Sequence, residues 1–189
     1  MTRTVLGLFG LVVLGLVVWA SDAWAQRARE LVGINRLHIS VQELDPLASE
    51  ISLTKRDLER LTSAVLRGKI PDLRQEMASE YVLVTVRLTK ADAAPGDRGR
   101  YAASVTLRVY RPVVTLYNLR VMMRKRGFAL PTLLRNAVLG AVWQEQALLT
   151  AKQHEMAGLV KTTLERQLQK FAGDYHWANP APPPPPEQQ

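Results

Sequence analysis

Two segments in the middle of this chain alternate strictly between apolar and polar residues, and they constrain its fold more than any other feature. In 80–91, EYVLVTVRLTKA, one face carries Val82, Val84, Val86 and Leu88; the other carries Tyr81, Leu83, Thr85 and Arg87. In 100–119, RYAASVTLRVYRPVVTLYNL, Tyr101, Ala103, Val105, Leu107 and Val109 share one face, against Ala102, Ser104, Thr106, Arg108 and Tyr110. A period of two marks a strand with one buried face. The stretch between them, DAAPGDRG (92–99), is turn-forming by composition. The pair reads as a β-hairpin with a loop of about eight residues. Pro112 has no N–H to donate, so the second strand bends, ends or lies at an edge there.

The flanking segments extend this pattern. RLHISVQEL (36–44) alternates as a half-buried strand that Asp45-Pro46 ends. SLTKRDLERLTSAVLRGKIP (52–71) reads as a helix. Thr54 is its N-cap with Asp57 in the capping-box position, and Leu53 and Leu58 form a hydrophobic staple. Gly68 suits a left-handed C′ residue, and Pro71 forbids continuation. DLRQ (72–75) fits a short edge strand. Residues 120–137 are interrupted by Gly127 and Pro131 and read as an irregular connection. VLGAVWQEQALL (138–149) has no clear period and fits a strand or the start of a helix. From 153 to 179, Met156, Val160, Leu164, Leu168, Phe171 and Tyr175 keep helical spacing until Asn179-Pro180. The expected fold is α+β. It is a single domain, a three- to five-stranded, mainly antiparallel sheet with two helices packed on one face, following an N-terminal hydrophobic signal helix.

That N-terminal segment has three parts: Arg3, an uninterrupted apolar run from Val5 to Ala20, and SDAWA with Ala23 and Ala25 at the −3 and −1 positions of a cleavage site. Sixteen apolar residues are short of the ~20 that a spanning helix needs. The sequence therefore divides into a signal peptide (1–25), an exported domain (26–179) and a Pro-rich disordered tail (180–189) that acts as a spacer. The expected location is periplasmic or secreted. The alternative is retention of the oily run as an inner-membrane anchor. There is no cysteine, so neither disulfides nor a lipidated N-terminal Cys contribute.

Removing residues 1–25 takes away one Arg and one Asp, so the remainder keeps the formal net charge of +8. An anionic partner is electrostatically favoured. From Arg98 to Gln144 there is no acidic residue, while Arg108, Arg111, Arg120, Arg124, Lys125 and Arg126 fall inside the span. In RVMMRKRGF, Met122, Met123 and Phe128 stand beside these charges, a pattern suited to an anionic surface or partner groove. The bland alternative is a charged strand edge that discourages aggregation. Trp143 and Trp177 are candidate second contacts. The candidate binding patch is thus Arg108, Arg111, Arg120, Arg124, Lys125, Arg126, Phe128, Trp143 and Trp177. Its partner would be an envelope protein or an anionic envelope polymer or lipid. Nucleic acid is the least fitting partner for an exported chain, and membrane contact is transient unless the oily run is retained.

Nothing in the sequence supplies a catalytic, cofactor or metal motif. His154 and His176 lie 22 residues apart on one helix, about 33 Å, and cannot share a metal with each other. G-x-S-x-G, G-x-G-x-x-G and Walker patterns are absent. Glu43, Asp45, Glu76, Glu80 and Asp174 are the carboxylates from which a polysaccharide or cell-wall hydrolase would draw its pair. The primary expectation is no enzyme, an exported accessory or binding protein. The alternatives are that hydrolase and a signal-anchored structural protein. The segment 100–119 also offers a strand edge able to pair with a second copy, and the sequence neither prevents nor requires that pairing.

Taken together, the signal peptide, GINRLHISVQEL, YVLVTVRL, GRYAASVTLRVYRPV, AVW and the ending FAGDYHWANP resemble a family of small exported bacterial proteins of unknown function. Its members share a central strand hairpin, a Trp before the last helix and a DY-x-x-AN ending, here Asp174, Tyr175, Ala178 and Asn179. The resemblance covers about residues 33–180 and implies no catalytic residues. The architecture is also similar to small periplasmic domains that serve envelope assemblies. Residues 119–137 depart from the family pattern as a basic extension of a usually shorter connection.

Overall fold

The computed structural model describes residues 29–91, 99–115, 120 and 137–180. The elements run β1 (His38–Val41), α1 (Leu47–Glu50), α2 (Lys55–Lys69), β2 (Tyr81–Lys90), β3 (Arg100–Val114), β4 (Ala137–Lys152) and α3 (Gln153–Ala178). The four strands form one sheet in the order β1-β2-β3-β4. The β1–β2 pair is parallel and the other two are antiparallel. A parallel neighbour needs a crossover, which α1 and α2 supply between β1 and β2. The fold is α+β, a mixed sheet with its two long helices on one face.

Alternation decides which face they cover. Val82, Val84 and Val86 from β2, and Tyr101, Ala103, Val105, Leu107 and Val109 from β3, are all buried. They meet Val160, Leu164, Leu168 and Phe171 from α3, and Leu58 and Leu66 from α2, in one core. The hairpin register pairs Tyr81 with Tyr110 and Lys90 with Tyr101. Its ladder with β2 ends at Tyr110, so Pro112 sits where β3 has an open side, as its missing donor requires.

Helix α2 starts as its sequence predicts. The Thr54 side chain accepts a 3.1 Å hydrogen bond from the Asp57 N–H. Leu53 and Leu58 are buried beside this cap. The C-terminus differs from expectation. Gly68 lies inside the helix, Ile70 follows as the cap, and the Ile70 N–H returns to Leu66 O at 2.8 Å. Two expected strands also shrink. The first covers only His38–Val41, and DLRQ contributes a single parallel bridge between Arg36 and Arg74. The ambiguous 138–149 segment resolves as part of β4, sixteen residues long.

Two carboxylates fasten the elements to one another. Asp57 is held below the ordinary carboxylate range by its hydrogen bond with Thr54, then by Lys161 of α3, whose ammonium is 3.4 Å away. Glu50 is lowered by the hydrogen bond from the Tyr101 hydroxyl, then by Lys90 at 2.9 Å. A depressed folded-state pKa means that the contribution is present above the unfolded value. It is lost as pH falls through the folded value, at and below the ordinary range of about 4. Thermal midpoints measured from neutral pH down to strong acid should therefore drop in that window. Asp57→Asn should flatten the drop, and an unchanged profile would show that this pair contributes nothing.

Candidate binding surface

The sheet has a face that no described helix covers. Its outward positions are Tyr81, Leu83, Thr85, Arg87 and Thr89 on β2, and Ala102, Ser104, Thr106, Arg108 and Tyr110 on β3. Gln144, Gln146, Leu148, Thr150 and Lys152 continue it on β4. No Asp or Glu occupies any of these places, and the charges among them are Arg87, Arg108 and Lys152, all positive. Side chains tie the surface together laterally. Arg108 Nε donates to Gln144 Oε1 at 2.8 Å, and Gln146 Nε2 donates to Ser104 Oγ at 3.1 Å. The Thr85 hydroxyl donates to Gln42 Oε1 at 3.0 Å, and Tyr81 stacks on Tyr110 with ring centroids 4.9 Å apart. Near the β2–β3 turn, small Ala102 leaves a shallow, mainly apolar depression of about 350 Å³ flanked by Arg87 and Leu148.

Sequence reasoning placed Arg108 on this face but did not include Arg87 in the patch. The signal was present, since alternation puts Arg87 on the polar side. The register completes it. Arg108 faces Leu83, and Arg87 is four residues further along β2, about 13 Å away along the strand.

The other candidate residues divide. Arg111 is committed elsewhere: its Nη1 donates to the carbonyls of Glu30 and Val32, at 2.9 and 3.2 Å. Arg120 is exposed. Arg124, Lys125, Arg126 and Phe128, with Met122 and Met123, lie outside the described residues. Trp177 is half-exposed on the last turn of α3. Trp143 corrects the expectation of a surface contact. It is 1% exposed, packs edge-on against Phe171 at 5.4 Å, and donates its indole N–H to Asp174 Oδ2 at 2.7 Å. An inward position over the helix face makes it core, out of reach of a partner.

That contact begins an account of the DY-x-x-AN ending. Asp174 is buried and takes the Trp143 proton donor. The Tyr175 hydroxyl donates to Ile34 O at 2.7 Å, and burial, then the Asp72 charge, push its pKa up, so it stays a donor. Asn179 accepts from the Gly33 N–H at 2.8 Å and donates to the carbonyls of Leu31 and Tyr175, both at 3.1 Å. Gly33 takes φ +78°, the left-handed region that glycine enters freely. The motif is a clasp that binds the end of α3 to residues 31–34, with Arg111 closing the same turn from β3.

The carboxylates available for hydrolysis are also occupied. Asp45 Oδ2 accepts from the Leu88 N–H at 3.1 Å, Glu43 lies 3.3 Å from Lys55, and Glu76 lies 3.8 Å from Arg36. Glu80 accepts from the Ser79 hydroxyl at 2.7 Å. Asp174 is sealed in the core. Among the described residues no three His, Cys, Asp or Glu side chains are grouped to hold a metal. None of the described helices is long and apolar enough to cross a membrane.

No family model matches the chain, and no curated protein matches it. Among solved structures, it is similar to one described as a PelC dodecamer, a single-substitution variant from Paraburkholderia phytofirmans. The identity is 14%, over 73% of this chain and 86% of that one, with a TM-score of 0.38.

Proposed function

We propose that the chain is an exported, non-enzymatic envelope binding protein. Its working surface is the helix-free sheet face, and the basic run 120–126 of the sequence adds positive charge to the same chain. Its target is an anionic envelope component, either lipid or polymer, or a partner protein with an acidic surface. The observation that carries this reading is the acid-free face itself: Arg87 and Arg108 stand among Thr, Ser and Gln with no carboxylate among the outward positions of β2, β3 and β4. Such a surface attracts anions and offers neutral hydrogen-bond partners around them. Export is supported by the signal-peptide layout of residues 1–25.

The test is co-sedimentation with phosphatidylglycerol vesicles and with lipopolysaccharide, using neutral phosphatidylcholine vesicles as the control. Binding should be strong at low salt and collapse by about 1 M, where the screening length falls to ~3 Å. Arg87→Glu with Arg108→Glu should weaken it, and Arg124→Glu with Arg126→Glu should abolish it. Salt-insensitive binding, or no binding to either anionic target, would remove this reading.

A further inference from the structure

The two edges of the sheet are treated very differently. Strand β1 is only four residues long, is followed closely by Pro46, and has α2 packed against it. Short length, proline and cover are the usual ways of blunting an edge. Strand β4 is neither short nor broken by proline, although α3 packs on its inner face and a register shift opposite Val109 and Tyr110 interrupts it near Val142. It runs for sixteen residues, contains no proline, and among the described residues pairs only with β3. Its sole charges are Glu145 and the terminal Lys152. Glu145 stands on the helix side of the sheet, where Lys170 meets it at 2.8 Å. The outward residues from Gln144 to Thr150 are neutral, and Leu148 is 79% exposed. A long edge with no charge from Gln146 to Ala151 presents a row of backbone donors and acceptors to another strand.

We infer that β4 pairs antiparallel with the β4 of a second copy, about a two-fold axis close to Gln146, giving one continuous eight-stranded sheet. Self-complementarity argues for a second copy as the occupant. With the axis at Gln146, Leu148 of one copy faces Gln144 of the other and Glu145 faces Ala147, along the regular segment from Trp143 to Leu149 that lies beyond the register shift. No like charges are opposed. Each pair of facing residues adds backbone hydrogen bonds at a cost of little more than water displaced from an open edge. The same strand is used on both sides, so the interface is isologous and closes as a dimer. The blunted β1 edge gives a third copy nowhere to add. The two helix-free faces then join side by side into a surface of doubled width.

Sedimentation velocity on the full chain, expressed with its own N-terminal segment and purified as it matures, tests this. A dimer is expected at micromolar concentration. Gln146→Lys places two ammonium groups together at the axis and should raise the dissociation constant by at least about a hundredfold, since opposed like charges at an interface cost several kcal/mol. Gln146→Glu should do the same. An equimolar mixture of the two variants should regain the dimer, because Lys then faces Glu. Position 146 is exposed, so circular dichroism should show both variants folded. A monomeric wild type overturns the inference. A dimer indifferent to both substitutions also overturns it, because the interface would then lie elsewhere. The readout is mass, so it stands or falls separately from vesicle binding.

Discussion

Trp143→Ala is expected to lower the free energy of unfolding by about 3–5 kcal/mol, as for other large aromatic truncations in closed cores. The side chain is 1% exposed, lies edge-on to Phe171, and supplies a donor to Asp174, itself buried. Removing it opens a cavity between β4 and α3 and leaves a carboxylate without that proton donor. Trp143→Phe separates the two effects, because it keeps a ring and deletes the N–H. Its cost should fall between that of alanine and zero. Chemical denaturation of the three proteins gives the numbers directly. A loss under about 1 kcal/mol for the alanine variant would show that the core collapses around the gap.

The second large effect is expected at the other end of α3. Asn179→Ala removes one acceptor and two donors at once: the Gly33 N–H loses its side-chain partner, and the Leu31 carbonyl keeps only the 3.4 Å bond from the Ile34 N–H. A backbone group left unpaired costs about 1–3 kcal/mol when shielded from water, and because Gly33 is exposed the loss here should lie near the lower end, about 1 kcal/mol. The loss should be concentrated locally. Hydrogen exchange should accelerate at residues 31–34, while the amides of β2 and β3 keep their protection. Tyr175→Phe should reproduce part of this through Ile34, whose carbonyl loses its phenol donor. Uniform acceleration across the sheet would instead mean that the clasp and the core unfold as one unit.

These two sites show what the sequence could and could not reveal. The β2–β3 hairpin was readable because each strand has a strict period of two, and every expected inward residue from Val82 to Val109 is buried. The start of α2 was readable because its cap is local, with Thr54 and Asp57 only three residues apart. Strand β4 resisted reading for a physical reason. A register shift opposite Val109 and Tyr110 changes the parity of inward and outward positions near Trp143, so no single period runs through the strand. The clasp was visible only as a string of letters, since its hydrogen bonds to residues 31–34 join positions more than 140 apart. The strand edge offered for pairing belongs to β4 and not to β3, which lies between two neighbours. For the proposed binding surface, composition revealed the acid-free run. The cross-strand register was needed to bring Arg87 beside it, and to show that Arg111 spends its guanidinium on Glu30 and Val32.

The hold of Arg111 on Glu30 also sets the length of a leash. Nine residues separate Ala20, the end of the oily run, from Glu30. At ~3.5 Å per extended residue, a retained run would keep the domain within about 35 Å of the bilayer. The anionic headgroups would then be present at an effective concentration set by that short arm, in the millimolar range for flexible connections of this size. A surface of weak intrinsic affinity would be occupied most of the time. After cleavage the same arginines would have to find their target from bulk solution, and only a far tighter surface would stay bound. On the proposed function, processing of the N-terminus decides how strong the patch has to be.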